Sequence, residues 1–112
     1  MKNILITGAT SFIGKHLIKR LVNQGECNIT ALVRDGSNLG ILAESIDNIA
    51  LHYYCSDYDS IDSLFQEKSF DCVIHLAAFS SADHRAEDIS KIIDSNIKLG
   101  TFILEALKKY NC

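Results

Sequence analysis

The sequence of 112 residues contains no proline and no tryptophan, and none of its four cysteines forms a Cys-x-x-Cys pair. No histidine is spaced to complete a zinc site with them, so we expect free thiols and no metal centre. No apolar run approaches the roughly 18 residues that a membrane span needs. Internal repeats and linkers are also absent, and the length suits a single domain.

An excess of cationic side chains is missing as well. Eleven Lys and Arg residues stand against fourteen Asp and Glu, for a net charge of −3. Because affinity for nucleic acid comes from clustered Lys and Arg, and the basic residues here are scattered, we predict no nucleic-acid partner. A strand begins within the first few residues and leaves no room for a signal peptide, so we expect a cytoplasmic protein.

Residues 4–17 combine a strand, a tight turn and a helix. An apolar run ends at Gly8, and apolar residues return at helical spacing from Phe12 onwards. The N-terminus of a helix offers unpaired N–H groups and a partial positive charge, which together bind a pyrophosphate. Gly8 suits a turn with positive φ, and Gly14 suits close packing of helix on strand. Ser11 lies where such a ligand would approach most closely.

Strands and helices alternate along the rest of the chain. The patterns predict helices over residues 12–24, 41–46, 59–67 and 87–110, and further strands over residues 27–34, 49–54 and 70–77. Asp59 or Ser60 is the predicted N-cap of the helix over 59–67. Five residues of the first helix are predicted to face the sheet: Ile13, Leu17, Ile18, Leu21 and Val22. This alternation predicts an α/β fold, a Rossmann-type three-layer αβα domain over residues 1–112 with a parallel sheet in the strand order 3-2-1-4.

The last predicted helix carries two apolar stripes. The first stripe comprises Ile89, Ile92, Ile93, Ile97, Ile103, Leu104 and Leu107, and the second comprises Leu99, Phe102, Ala106 and Tyr110. One helix would then have two faces to cover, and the fourth strand would form an exposed edge. We therefore expect a homo-oligomer formed through the last helix and the edge of strand four.

The ligand crevice of such a sheet lies where the strand order reverses, at the carboxyl ends of strands one and four. Residues 8–12 and 77–81 both fall there. Arg34 at the end of strand two and Asp57 just after strand three converge on the same edge.

Four segments resemble one known family: TGATSFIG at residues 7–14, ALVR at 31–34, DCVIHLAA at 71–78, and Asn96 followed by Gly100-Thr101 and Leu104-Glu105-Ala106. They are similar to the extended short-chain dehydrogenase/reductases, the NAD-dependent epimerase/dehydratase family, many of whose members act on nucleotide-linked sugars. The resemblance implies that the turn from Gly8 to Ile13 holds the pyrophosphate. The cofactor-binding residues of this segment are then Gly8, Thr10, Ser11, Phe12, Ile13 and Gly14. It implies that Asp57 and Tyr58 hold the adenine, and that Leu76, Ala77 and Ala78 hold the ribose nearer the nicotinamide. Asn96 would support the end of strand four, and Ser11 replaces the family's usual middle glycine.

Arg34 bears on the choice of cofactor. An acidic residue ending strand two binds the ribose 2′-OH of NAD, whereas an arginine suits the 2′-phosphate of NADP. We therefore predict NADP, although Asp35 comes one residue later and would favour NAD if the strand ends late. A solvated arginine on a loop is the remaining interpretation.

The catalytic pair of the family, a Tyr with a Lys four residues later, is absent from this sequence. The chain also stops where the family would begin its fifth strand, which indicates a cofactor-binding part of a longer protein; a natural chain of this length is the alternative. We predict the NADP-preferring, dinucleotide-binding portion of an oxidoreductase, epimerase or dehydratase acting on a nucleotide sugar. The alternatives are a non-catalytic NAD(P)-binding or redox-sensing module, and a fragment that folds but binds nothing.

Overall fold

A computed structural model describes residues 1–79 and 83–112. Four strands are present: β1 (Lys2–Thr7), β2 (Cys27–Arg34), β3 (Ala50–Tyr54) and β4 (Cys72–His75). The helices are α1 (Phe12–Gln24), α2 (Tyr58–Glu67), α3 (Ile89–Ile93) and α4 (Leu99–Lys109), and a π-helical turn over Asp94–Lys98 joins α3 to α4. Short 3-10 turns occupy Leu39–Leu42, Ile46–Asn48 and Ala86–Asp88. Residues 80 and 81 of the predicted crevice lie outside the described residues.

The four strands form one parallel sheet in the order β3-β2-β1-β4, which confirms the predicted topology. Alternation along β1 sends Leu5 to one face and Ile4 and Ile6 to the other. Leu5 packs with residues of α2 and α4, and the opposite face packs against α1. The two apolar clusters therefore make the three αβα layers. No described helix is long and apolar enough to cross a membrane.

The side chain of Ile13 is 64% exposed, so its predicted place on the sheet is wrong. Gly14 lies instead at the contact between α1 and the turn. Because successive side chains of an α-helix point about 100° apart, Ile13 points away from that contact. Ile18, one turn after Gly14, is fully buried. The helix meets the sheet along the side of Gly14 and Ile18.

Several predicted boundaries shift, and the helix predicted over 41–46 is replaced by two 3-10 turns. Side-chain hydrogen bonds accompany the shifts at α2 and β4. The helix α2 begins at Tyr58, not Asp59, since the Asp57 carboxylate accepts the Ser60 N–H at 2.9 Å and caps the helix. Strand β4 spans Cys72–His75 rather than 70–77. The Thr7 hydroxyl accepts the N–H groups of Leu76 and Ala77, and the Leu76 N–H also donates to the Thr7 carbonyl at 3.3 Å.

The last helix is not continuous over residues 87–110. A π turn holds more residues than an α turn. Side chains at α-helical spacing therefore no longer share one face of the helix on the two sides of residues 94–98. The first predicted stripe is accordingly split: Ile103 is buried, whereas Ile89, Ile93, Ile97 and Leu104 are exposed. The core side of α4 is made by Leu99, Ile103 and Ala106.

Candidate functional site

The turn between β1 and α1 is closed by Ser11. The Gly8 carbonyl accepts both the Ser11 N–H at 3.1 Å and the Ser11 hydroxyl at 2.6 Å. The same hydroxyl oxygen accepts the Gly14 N–H at 3.1 Å and so caps α1. Ser11 has a φ of −77°, which needs no glycine. A serine therefore fits the middle position of the glycine motif and strengthens the start of the helix.

Both glycines of this turn are required by close contacts. Gly8 has a φ of +68°, and a Cβ there would lie 2.6 Å from the carbonyl carbon of Leu76. A Cβ on Gly14 would lie 2.1 Å from the Gly8 carbonyl oxygen. The turn, the helix and the end of β4 thus meet at backbone distance.

Thr7 connects β1 to the end of β4. Its side-chain oxygen accepts the N–H groups of Leu76 and Ala77, each at 3.1 Å, and lies 2.6 Å from Nδ1 of His75. Because a hydroxyl has two lone pairs and one proton, Thr7 donates that proton to His75 Nδ1, and the imidazole proton resides on Nε2. Loss of water around the ring lowers the pKa of His75 below its usual value. The neutral imidazole is the form that this network needs.

Asn96 lies in the π turn and holds the segment after β4. Its side-chain amide donates to the Phe79 carbonyl and accepts the Phe79 N–H, both at 2.8 Å. This pair of hydrogen bonds fixes the backbone just beyond Ala78. Asn96 acts on the crevice through Phe79, since its own side chain is occupied by that backbone.

Arg34 ends β2 and is contacted by side chains from β3, the loop after it and the π turn. Its Nη1 lies 2.5 Å from the Asp94 carboxylate, and its guanidinium carbon lies 4.8 Å from the centre of the Tyr54 ring. Ser56 and Ser95 hydroxyls lie at 3.2 and 3.4 Å from the two terminal nitrogens. Burial, followed by the charge of Asp94, raises the pKa of Tyr54 to about 12.

The Gly8 turn, Arg34 and the end of β4 line one crevice of about 240 Å³ at the carboxyl ends of the strands. Ligand pockets commonly enclose about 300–1,000 Å³, so this crevice has room for only part of a ligand of dinucleotide size. Seven predicted residues line it: Gly8, Thr10, Ser11, Arg34, Leu76, Ala77 and Ala78. Phe12, Ile13, Gly14 and Asn96 are not among its lining residues.

Asp57 and Tyr58 are not among the residues that line this crevice, and their contact with the adenine stays a prediction. The Asp57 carboxylate is used as the cap of α2. The Tyr58 ring packs edge-on against Phe102 of α4, with ring centres 5.7 Å apart. Both side chains therefore also have structural contacts at the start of α2.

Sequence reasoning missed several residues of the crevice: Thr7, Ser37, Tyr54 and Ser95. Ser37 follows β2 in a turn, where its hydroxyl accepts the Arg34 N–H at 2.9 Å. A serine three residues after a strand end is a detectable turn signal. Tyr54 and Ser95 gave no local signal, because they reach Arg34 only through the sheet order and the π turn.

A parallel sheet of order 3-2-1-4 with helices on both faces defines a Rossmann-type fold. The family model described as NAD dependent epimerase/dehydratase family matches residues 4–112. The chain belongs to that family.

Individual relatives agree with this assignment. A dTDP-D-glucose 4,6-dehydratase from Dictyostelium discoideum is 32% identical over 98% of this chain and 27% of its own length. The Bordetella bronchiseptica enzyme WbmH in complex with NAD⁺ superimposes with a TM-score of 0.78, at 25% identity, over 99% of this chain and 36% of its own. UDP-glucose 4-epimerase from Bifidobacterium longum in complex with NAD⁺ and UDP also gives a TM-score of 0.78 at 25% identity, over 97% of this chain and 34% of its own. The chain thus spans about a third of the length of the proteins it matches.

Proposed function

We propose that this chain binds a nicotinamide adenine dinucleotide, with the pyrophosphate at the turn that starts α1. The observation that carries the proposal is the single crevice shared by the Gly8 turn, Arg34 and the end of β4. The residues fit such a cofactor. The N-terminus of a 13-residue helix faces one end of the crevice, small side chains line its floor, and a guanidinium lies on its rim.

We propose further that NADP is preferred over NAD. Arg34 ends β2 at the place where the ribose of the adenosine is bound in this fold, and a guanidinium matches the 2′-phosphate. Asp35 is exposed and does not line the crevice, which argues against an acidic partner for the 2′-OH. Two solved relatives are complexes with NAD⁺, so NAD⁺ is the cofactor against which this preference has to be measured.

Titration calorimetry of the chain with NADP⁺ and NAD⁺ in parallel tests both proposals. Tighter binding of NADP⁺ is expected, and Arg34→Ala is expected to weaken NADP⁺ by about ten- to a hundredfold while sparing NAD⁺. Arg20→Ala is the matched control, because this exposed arginine of α1 does not line the crevice. Equal losses for both cofactors in Arg34→Ala would remove the selectivity argument. A folded wild-type chain that binds neither cofactor would refute the binding function.

The proposed role is the cofactor-binding part of an enzyme acting on a nucleotide sugar, by analogy with the named dehydratase and epimerase. When bound, the nicotinamide supplies hydride transfer, and the residues described here bind and orient it. No tyrosine of the sequence is followed four residues later by lysine. The chain alone is therefore expected to give no turnover of a nucleotide sugar. The absence of this Tyr and Lys pair is also expected of the alternative, a non-catalytic NAD(P)-binding or redox-sensing module. Catalytic segments added to such a module would give no turnover.

We propose self-association through the last helix and the β4 edge. Ile89, Ile93 and Ile97 are 49%, 47% and 61% exposed, and β4 pairs with β1 along one of its sides. A second copy would bury these side chains and the strand edge together. Light scattering at tens of micromolar is expected to give a dimer, and Ile97→Lys to reduce it to a monomer. A monomeric wild-type chain would count against the proposal.

A further inference from the structure

Asp94 is the residue that most constrains Arg34. Its carboxylate is 16% exposed, and it lies 2.5 Å from Nη1 of Arg34. The Tyr54 hydroxyl donates to the same carboxylate at 3.3 Å, and the Ser56 hydroxyl donates at 3.4 Å. Lys98 lies farther away, at 3.9 Å. The carboxylate is thus held in place by neighbours from β3, the following loop and its own π turn.

This arrangement engages one of the two terminal nitrogens of Arg34 and places a carboxylate beside the group that a phosphate would use. A guanidinium recognises phosphate through a pair of parallel N–H donors, and Nη1 is already committed to Asp94. The Tyr54 ring, 4.8 Å from the guanidinium carbon, closes one face of the group. A 2′-phosphate must therefore compete with an internal anion for the same cation, whereas a 2′-OH carries no charge and meets no such competition.

We infer that Asp94 is a specificity-determining residue that lowers the preference for NADP by competing with the 2′-phosphate for Arg34. The inference rests on the proposed dinucleotide function. Asp94 and Arg34 together, and not Arg34 alone, then set the ratio of the affinities for NADP and NAD. Removing the carboxylate leaves the Arg34 guanidinium without an internal anion, so the affinity for NADP increases.

The π turn brings Asp94 next to Arg34, although the two residues are far apart in the sequence. Three consecutive residues of this turn make the contacts. Asp94 and Ser95 contact Arg34, and Asn96 contacts Phe79. Both sides of the crevice are therefore tied to one irregular turn, and π turns occur often at functional sites.

Calorimetric titration of Asp94→Asn with NADP⁺ and NAD⁺ tests the inference. The dissociation constant for NADP⁺ is expected to fall about tenfold, equivalent to about 1.4 kcal/mol, with that for NAD⁺ changing by less than about twofold. In an Arg34→Ala background the same substitution is expected to change neither constant. Asp62→Asn is the control, because its carboxylate is 19% exposed, pairs with Lys109 at 2.8 Å and does not line the crevice.

The outcomes separate the inference from the proposed function. A wild-type chain that binds neither cofactor refutes the function and the inference together. A wild-type chain that binds, with an unchanged affinity ratio in Asp94→Asn, overturns the inference alone. A shift that persists without Arg34, or that Asp62→Asn reproduces, also overturns it. If circular dichroism shows Asp94→Asn to be unfolded, Asp94→Ser carries the same expectation.

Discussion

Replacing Gly14 by alanine is expected to separate α1 from the turn that it completes. The new Cβ would lie 2.1 Å from the Gly8 carbonyl oxygen and 2.9 Å from its carbonyl carbon. Both atoms belong to backbone, and the carbonyl oxygen already holds the Ser11 N–H and hydroxyl. Relief of the clash requires a shift of about 1 Å or more to reach ordinary van der Waals separation.

The expected cost combines three effects. Overpacking of a closely packed contact costs about 1–3 kcal/mol. Weakening of the Ser11 cap adds about 0.5–2 kcal/mol, because its bond to Gly14 is 3.1 Å long and lies at the displaced position. Alanine returns about 1 kcal/mol through its helix propensity. The free energy of unfolding should therefore fall by about 2 kcal/mol, a substantial share of the about 5–15 kcal/mol typical of a domain.

Gly100→Ala provides the matched control within a helix. Its Cβ would meet Nε2 of His75 at 3.5 Å, an ordinary contact, so the gain in helix propensity is expected to dominate. Urea unfolding followed by circular dichroism should place the midpoint of Gly14→Ala below that of the wild type, and the midpoint of Gly100→Ala at or above it. Equal midpoints for the two variants would refute the close-contact reasoning.

Three further predictions concern hydrogen bonds seen in the structure. Asp57→Ala should lower the free energy of unfolding by about 1 kcal/mol through loss of the α2 cap at Ser60, with Asp57→Asn near neutral, as urea midpoints would show. Thr7→Val should cost about 1–3 kcal/mol in the same measurement, because the Ala77 N–H loses its acceptor, and Thr7→Ser should recover most of it. The pKa of His75 lies below its ordinary 6.5 in the folded chain, so protonation favours the unfolded state. The free energy of unfolding should be highest above pH 6.5 and decline as the pH falls through that value. The decline should be smaller in His75→Gln. An identical decline in the variant would contradict the role of the neutral ring.

The sheet order and the glycine turn between β1 and α1 could be predicted because their signals are local. Alternating strands and helices with right-handed crossovers leave few arrangements, and the order β3-β2-β1-β4 is the one observed. Gly8 and Gly14 were identified from spacing alone, and the backbone contacts explain both. The errors at Ile13 and along the first stripe of the last helix arose where an ideal helical period was assumed. The π turn at residues 94–98 breaks that period, and it carries no distinctive composition.

The sequence by itself determined the βαβ architecture and its family, because hydrophobic period and glycine position act through neighbours along the chain. It also placed Arg34 at the end of β2 and so posed the question of NAD or NADP. Only the tertiary structure decided the partners of Arg34. Asp94 lies sixty residues away in sequence and meets the guanidinium because the sheet order and a π turn bring them together. Ion pairs of this kind depend on distances across the fold, which no local pattern encodes.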